Sequence, residues 1–154
     1  MGKLIKFNFK YKAHDEEIET KDRDIELPDI FMVIYDDISP DGRYFKRYVM
    51  NNPNVNFKKR DSSGRTILHL STRLYKYAIM SYILKHKLVD INAKTVTGAT
   101  ATVLAIAYQM PMVLMILVRY NPKLSKEEEN AMKDLIGIDK SEGYLTGGAE
   151  LIEF

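Results

Sequence analysis

The feature that most constrains the fold of this chain is a repeat of its own sequence at an offset of 34 residues. The stretch DSSGRTILHLS at 61–71 aligns with TVTGATATVLA at 95–105, and the alignment pairs glycine with glycine and threonine with threonine. The same offset then pairs apolar residues around 80 with apolar residues around 115. Such periods are typical of solenoids, in which each unit must stack on its neighbours to bury its apolar face.

The pattern of each unit predicts a turn followed by two short helices. Gly64 and Gly98 provide a backbone position that can reach positive φ in a tight turn. Thr66 and Thr100 stand two residues later, where a threonine hydroxyl caps a helix, and Pro111 fits the first turn of a second helix. Helical spacing of apolar residues predicts the second helix of each unit. The predicted helices cover residues 67–75, 76–86, 101–109 and 111–120.

The first unit resembles an ankyrin repeat, whose pattern begins D-x-x-G-x-T-P-L-H-x-A. Ile67 replaces the proline of that pattern, and Ser71 replaces its alanine. The second unit departs further, because Val103 stands where the pattern has histidine. With a degenerate unit at 28–60 included, the resemblance covers about 95 residues. It implies a mainly α, ankyrin-like helical solenoid. Matching residues of the first unit are Asp61, Gly64, Thr66, Leu68, His69, Ile79, Ile83, Leu84, Asp90, Asn92 and Ala93.

The regions on either side of the two repeats predict their own elements. Alternating apolar and polar residues near the amino terminus predict a short β-containing extension, a strand or hairpin. Helical stripes at 31–38 and 44–49 predict a degenerate unit that precedes these two repeats. Beyond the repeats, Ser125 and Glu128 predict a capping box, and Gly137 predicts the end of that helix. The expected segments are the extension at 1–27, the degenerate unit at 28–60, repeats at 61–94 and 95–124, a capping helix at 125–137 and a tail at 138–154.

His69 lies beside two hydroxyl residues, which raises the alternative of a catalytic base with Thr66 or Ser71 as nucleophile. A catalytic set of this kind also needs a carboxylate that orients the base, and no residue near His69 suggests itself. Three residues after a helix cap, a histidine ring can instead bond the threonine hydroxyl or the turn backbone. We therefore expect His69 to be structural and the chain not to be an enzyme.

Two patterns resemble metal sites, and neither predicts one. Asp37, Ser39, Asp41 and Gly42 fall on positions 1, 3, 5 and 6 of a calcium-binding loop, but the twelfth position holds Tyr48 instead of glutamate. A turn between two helices is the better interpretation. The sequence HDEE at 14–17 is more typical of a solvated acidic loop. We expect no metal and no cofactor.

The apolar run at 101–118 is long enough to suggest a membrane helix. Gln109 and Pro111 interrupt its middle, and the repeat alignment divides it into two buried helices. We therefore expect no membrane association. The chain has no cysteine, which favours a reducing compartment and a cytoplasmic protein.

Charge is strongly segregated along the chain. Residues 13–41 carry eleven acids against two bases, and residues 43–76 carry nine bases against one acid. One interpretation is that these segments neutralise each other within the fold. The other is that the basic segment attracts an acidic partner. The sequence leaves both open.

In ankyrin proteins the partner usually binds the concave face, which the turn tips and the exposed side of each first helix form. Carried over by position, this resemblance implies binding of a protein with an acidic surface through basic turn tips. The predicted binding residues are Lys58, Lys59, Arg60, Ser62, Ser63, Arg65, Arg73, Leu74, Lys94, Val96, Thr97 and Tyr108.

The composition, rich in Lys, Ile, Asn and Tyr, is similar to that of short ankyrin proteins of large DNA viruses and intracellular bacteria. This similarity implies a modulator of host signalling, for example of NF-κB factors, in the host cytoplasm or nucleus. Two other classes stay open: an enzyme with a site in residues 1–27, and a nucleic-acid binder that uses the basic tips. Nucleic acid is the lesser expectation, because a pI near 8.6 is modest.

Overall fold

The computed structural model describes residues 29–137, and the structural statements below concern that range. Within it the chain forms seven α-helices and no strand, which confirms the expected mainly α-helical class. The strand predicted in residues 1–27 and the tail at 138–154 lie outside the described residues. The helices are α1 Asp29–Asp36, α2 Arg43–Asn51, α3 Ile67–Arg73, α4 Tyr77–Lys85, α5 Ala101–Ala107, α6 Pro111–Val118 and α7 Lys126–Ile136.

The seven helices pack as two layers. An inner layer runs α1, α3, α5, α7, and each of these helices contacts the next one in the series. The outer helices α2, α4 and α6 each pack on the inner helix that precedes them in the chain, and α4 also packs on α6. The rings of Phe45 and Tyr82 join α2 to α4 edge to face, with centroids 5.7 Å apart.

One large apolar core extends through both layers, and a small second cluster lies at Ala99, Val103 and Leu104. Phe31 and Ile34 enter it from α1, Phe45 from α2, and Met132 from α7, all without exposed surface. Burying one large apolar side chain stabilises a fold by about 1.5–3 kcal/mol. Neither layer buries its apolar face without the other, which is why the helices can be as short as seven residues.

The offset of 34 residues recurs in the backbone hydrogen bonds of the two units. Asp61 N donates to Arg65 O over 3.1 Å, and Thr95 N donates to Ala99 O over 2.9 Å. These bonds close equivalent turns before α3 and α5. Further pairs of donors repeat at the same offset, among them Gly64 and Gly98, Lys76 and Met110, and Lys87 and Asn121.

The predicted helix caps are confirmed. The hydroxyls of Thr66 and Thr100 accept hydrogen bonds from backbone N–H groups three residues later. Ser125 and Glu128 form a reciprocal capping box at the start of α7, and Gly137 ends that helix with a φ of 67°. Pro111 lies in the first turn of α6, as predicted.

The first helix of each repeat ends two residues earlier than predicted. α3 ends at Arg73 and α5 at Ala107, because Tyr75 and Gln109 adopt positive φ of 56° and 54°. A residue in the left-handed region stops an α-helix. Similarly, Ile38 does not belong to the stripe of α1, since it lies beyond the helix and is 89% exposed.

The segment between α1 and α2 is a braced turn. One carboxylate oxygen of Asp37 accepts from Ser39 N (2.8 Å) and from the Ser39 hydroxyl, and the other accepts from Phe45 N (2.9 Å). Burial raises the pKa of Asp37, but these hydrogen bonds outweigh it and hold the pKa below its usual value. Asp41 pairs with Arg43 instead. In the described range no three His, Asp or Glu side chains are grouped to hold a metal ion.

The long apolar run at 101–118 is divided between α5 and α6, as predicted. Among the described residues no helix has the length and apolar character needed to cross a bilayer.

Candidate partner-binding surface at the turn tips

The turns that precede α3 and α5 lie side by side and are joined by hydrogen bonds. Val96 N donates to Ser63 O over 3.0 Å. The Arg60 guanidinium adds a second link, because its Nη1 donates to Gly64 O (2.8 Å) and to Lys94 O (2.6 Å). Two loops that are 34 residues apart in sequence thus form one continuous edge.

The first of these turns is built around a buried ion pair. Asp61 Oδ2 accepts from Arg65 Nε over 2.7 Å, with both side chains almost fully buried. Asp61 Oδ1 accepts two backbone hydrogen bonds, from Ser63 N and Arg65 N, each over 2.9 Å. A buried carboxylate needs this full set of partners, because desolvation otherwise exceeds the Coulombic gain.

The expectation that Ser63 and Arg65 are exposed on the tip is wrong. Their residues are 7% and 1% exposed, respectively. Arg65 turns inward because the Asp61 carboxylate lies beneath it, and Ser63 is covered where the two tips meet. The sequence contains a signal for the pair, an acid and a base four residues apart, although the predicted binding surface includes Arg65.

The other predicted tip residues are accessible. Lys58, Lys59, Arg60, Ser62 and Lys94 are exposed, Val96 is 69% exposed, and Thr97 is half-buried. We call the exposed set Lys58, Lys59, Arg60, Ser62, Lys94 and Val96 the tip surface.

The predicted contribution of the inner helices is confined to their carboxyl-terminal ends. All of α5 is buried, and α3 is buried up to Thr72, so neither helix presents an exposed side along its length. At the ends, Arg73, Leu74 and Tyr108 are half-buried. The Arg73 guanidinium lies 3.7 Å from the centroid of the Tyr108 ring, a cation–π contact between the two repeats.

His69 connects the two turns through buried hydrogen bonds of its ring. Its Nδ1 accepts from Thr66 N over 3.0 Å, and its Nε2 donates to Ala99 O over 2.9 Å. Burial lowers the pKa of His69 to about 4, and the charges of Arg60 and Arg65 act in the same direction. The Ser71 hydroxyl donates to Ile67 O over 2.7 Å within its own helix.

Whether the acidic segment at 13–41 neutralises the basic segment stays open, because residues 13–28 of that segment, including HDEE at 14–17, lie outside the described residues.

Comparison with known proteins returns no match: no protein-family model, no curated protein and no solved structure matches this chain.

Proposed function

We propose that this chain is a non-catalytic protein-binding module, an ankyrin-like helical solenoid that binds an acidic partner protein through the tip surface and the adjoining ends of α3 and α5. The observation that carries this proposal is the joining of the two tips. Arg60 bonds both loops, and Val96 N donates to Ser63 O. We place the module, as the resemblance implies, among viral or intracellular-bacterial modulators of host signalling.

The joined tips favour binding because they are ordered before a partner arrives. Loops that must be ordered on association weaken it, since the lost conformational freedom opposes binding. Here backbone N–H groups of both tips donate hydrogen bonds to a side chain of the same turn, to the Asp61 carboxylate in one turn and to the Thr95 hydroxyl in the other. Only the exposed side chains have to be fixed by the partner.

The charge of the tip surface favours an acidic partner. Lys58, Lys59 and Lys94 project as exposed amines, while the Asp61 carboxylate beneath them is already paired with Arg65. Complementary charge at an interface raises the association rate and selects partners, and its effect falls as salt shortens the Debye length.

The test reverses the charge of three lysines on the tip surface. Arg60 is left unchanged, because it joins the two tips. The variant Lys58→Glu/Lys59→Glu/Lys94→Glu is compared with a control of equal charge change, Lys87→Glu/Lys123→Glu/Lys126→Glu. All six lysines are exposed. Both variants and the unmodified chain are immobilised, and proteins captured from cytosolic extract are identified by mass spectrometry.

We expect the unmodified chain and the control variant to capture the same partner, and the tip variant to lose it. Raising salt from about 0.15 M to about 1 M should release the partner, since the Debye length falls from about 8 Å to about 3 Å. Undiminished capture by the tip variant would show that the surface is wrongly assigned. Capture that disappears after nuclease treatment would favour the nucleic-acid alternative.

A further inference from the structure

A small basic pocket opens on the outer layer, where α2, α4 and the end of α6 meet. Its volume is about 120 Å³. No residue of the tip surface lines it. Of the described residues around it, four have basic side chains and none is acidic. The lining residues are Lys46, Ala78, Ser81, Tyr82, Lys85, His86, Arg119 and Tyr120.

Ser81 brings a buried hydroxyl to this pocket. The residue is 8% exposed, and its hydroxyl oxygen is buried without a hydrogen-bond partner. A buried hydroxyl without a partner is unfavourable, because it has lost its hydrogen bonds to water without replacement. A ligand that accepts a hydrogen bond in the pocket would satisfy it.

One wall of the pocket is fixed by aromatic packing. The rings of Tyr82 and His86, one helical turn apart, pack against each other at a tilt of 45°, with centroids 4.3 Å apart. Tyr82 in turn packs edge to face on Phe45, which is fully buried in α2. The pocket is therefore formed in the folded chain before any ligand enters.

We propose that this pocket binds a phosphate group. Ammonium, guanidinium and hydroxyl groups can all donate hydrogen bonds, and a phosphate group presents several charged acceptor oxygens to them. The pocket is smaller than the cavities of about 300–1,000 Å³ that enclose drug-sized ligands, so it suits a single tetrahedral anion. Lysine and arginine clusters are a recurring means of recognising phosphate.

The test measures binding of inorganic phosphate to the purified chain by isothermal titration calorimetry at constant ionic strength. We expect one site per chain. Lys46→Gln and Lys85→Gln should each weaken binding at least about tenfold, since a hydrogen bond to a charged group is worth about 1.5–3 kcal/mol. Lys87 is an exposed lysine two residues beyond Lys85 and does not line the pocket. The control Lys87→Gln should therefore leave the affinity for phosphate unchanged.

Ser81→Ala separates a ligand-binding role from a structural one. Because the hydroxyl has no partner in the folded chain, removing it should leave the midpoint of urea unfolding unchanged or raise it. Phosphate affinity should nevertheless fall several-fold. Phosphate affinity that Ser81→Ala, Lys46→Gln and Lys85→Gln leave intact would overturn the proposal.

A second titration distinguishes the source of the phosphate. A short Gly-Ser peptide with one phosphoserine is compared with the same peptide unphosphorylated. Binding of the phosphopeptide identifies a phosphorylated side chain as the ligand, and binding of inorganic phosphate alone identifies the free ion; either supports the site. Failure of both to bind overturns it. None of these outcomes depends on the tip surface, which the proposed function uses.

Discussion

The ring of His69 connects two repeats: its Nε2 donates a hydrogen bond to the carbonyl oxygen of Ala99, 2.9 Å away and thirty residues further along the chain. The other ring nitrogen accepts from Thr66 N, so the proton lies on Nε2 and the ring is neutral. One side chain thus completes the cap of α3 and holds the turn before α5. A protonated ring would place a donor against the Thr66 N–H and a positive charge at a helix amino terminus, both unfavourable.

We expect the chain to lose stability between about pH 6.5 and pH 4 because of His69. Burial lowers the pKa of His69 to about 4 in the folded state, whereas an unfolded histidine titrates near 6.5. The unfolded chain therefore binds more protons than the folded chain in this window. The contribution of His69 to the free energy of unfolding is fully present above about pH 6.5 and declines as the pH falls. Urea unfolding should give a free energy lower by about 2 kcal/mol at about pH 5 than at about pH 7.5.

His69→Gln and His86→Gln form the matched pair for this prediction. His69→Gln should be less stable at neutral pH and should lose most of the dependence on pH. His86 is exposed, so His86→Gln should keep the dependence of the unmodified chain. An unchanged pH profile in His69→Gln would mean that another group causes the effect.

The sequence predicted the features that depend on neighbours along the chain. The caps at Thr66, Thr100 and Ser125 were predictable because a threonine or serine and its target N–H lie three residues apart. The bond from His69 to Ala99 was not, since it spans thirty residues and a valine replaces the histidine in the next repeat. Which tip residues are exposed was also only partly predictable.

Arg65 shows why exposure could not be predicted from charge. A single arginine in a basic segment is normally assigned to the surface, and most arginines are exposed. Arg65 is buried because Asp61 gives it a partner four residues away in a turn, not in a helix. The second repeat has Thr95 and Ala99 at the equivalent positions, so the repeat alignment carried no sign of a paired charge.

The comparison of the two repeats supplies a direct test of the Asp61–Arg65 pair. Arg65→Ala leaves a buried carboxylate without its counterion, and we expect it to lower the free energy of unfolding by about 3–5 kcal/mol. Asp61→Thr/Arg65→Ala copies the second turn, in which Ala99 N donates to the Thr95 hydroxyl over 3.2 Å. The double variant should lower the free energy of unfolding by less than Arg65→Ala alone does. A double-mutant cycle by urea unfolding measures this coupling, and additive costs would contradict it.

Gly64 and Gly98 occupy equivalent turns but should differ in their tolerance of a side chain. Both adopt positive φ, 72° and 85°, so alanine costs about 1–2 kcal/mol of backbone strain at either position. A Cβ at Gly98 meets nothing within 4 Å, whereas a Cβ at Gly64 lies 3.0 Å from Val96 N. Gly64→Ala should therefore lower the unfolding midpoint more than Gly98→Ala. Equal effects would show that the two tips can separate at little cost.

Arg60 joins the tips through the carbonyls of Gly64 and Lys94. Arg60→Met removes both hydrogen bonds and keeps the tip lysines. The Val96 amide donates to Ser63 O, and we expect it to exchange with solvent about tenfold faster in this variant. Losing a hydrogen bond worth about 1.4 kcal/mol makes the open state of the tips about tenfold more populated. Amide exchange followed by NMR measures this rate, with Lys59→Met as the control. If Arg60→Met leaves the exchange rate of Val96 unchanged, the tips are held together without Arg60, and charge alone accounts for any effect of that residue on partner binding.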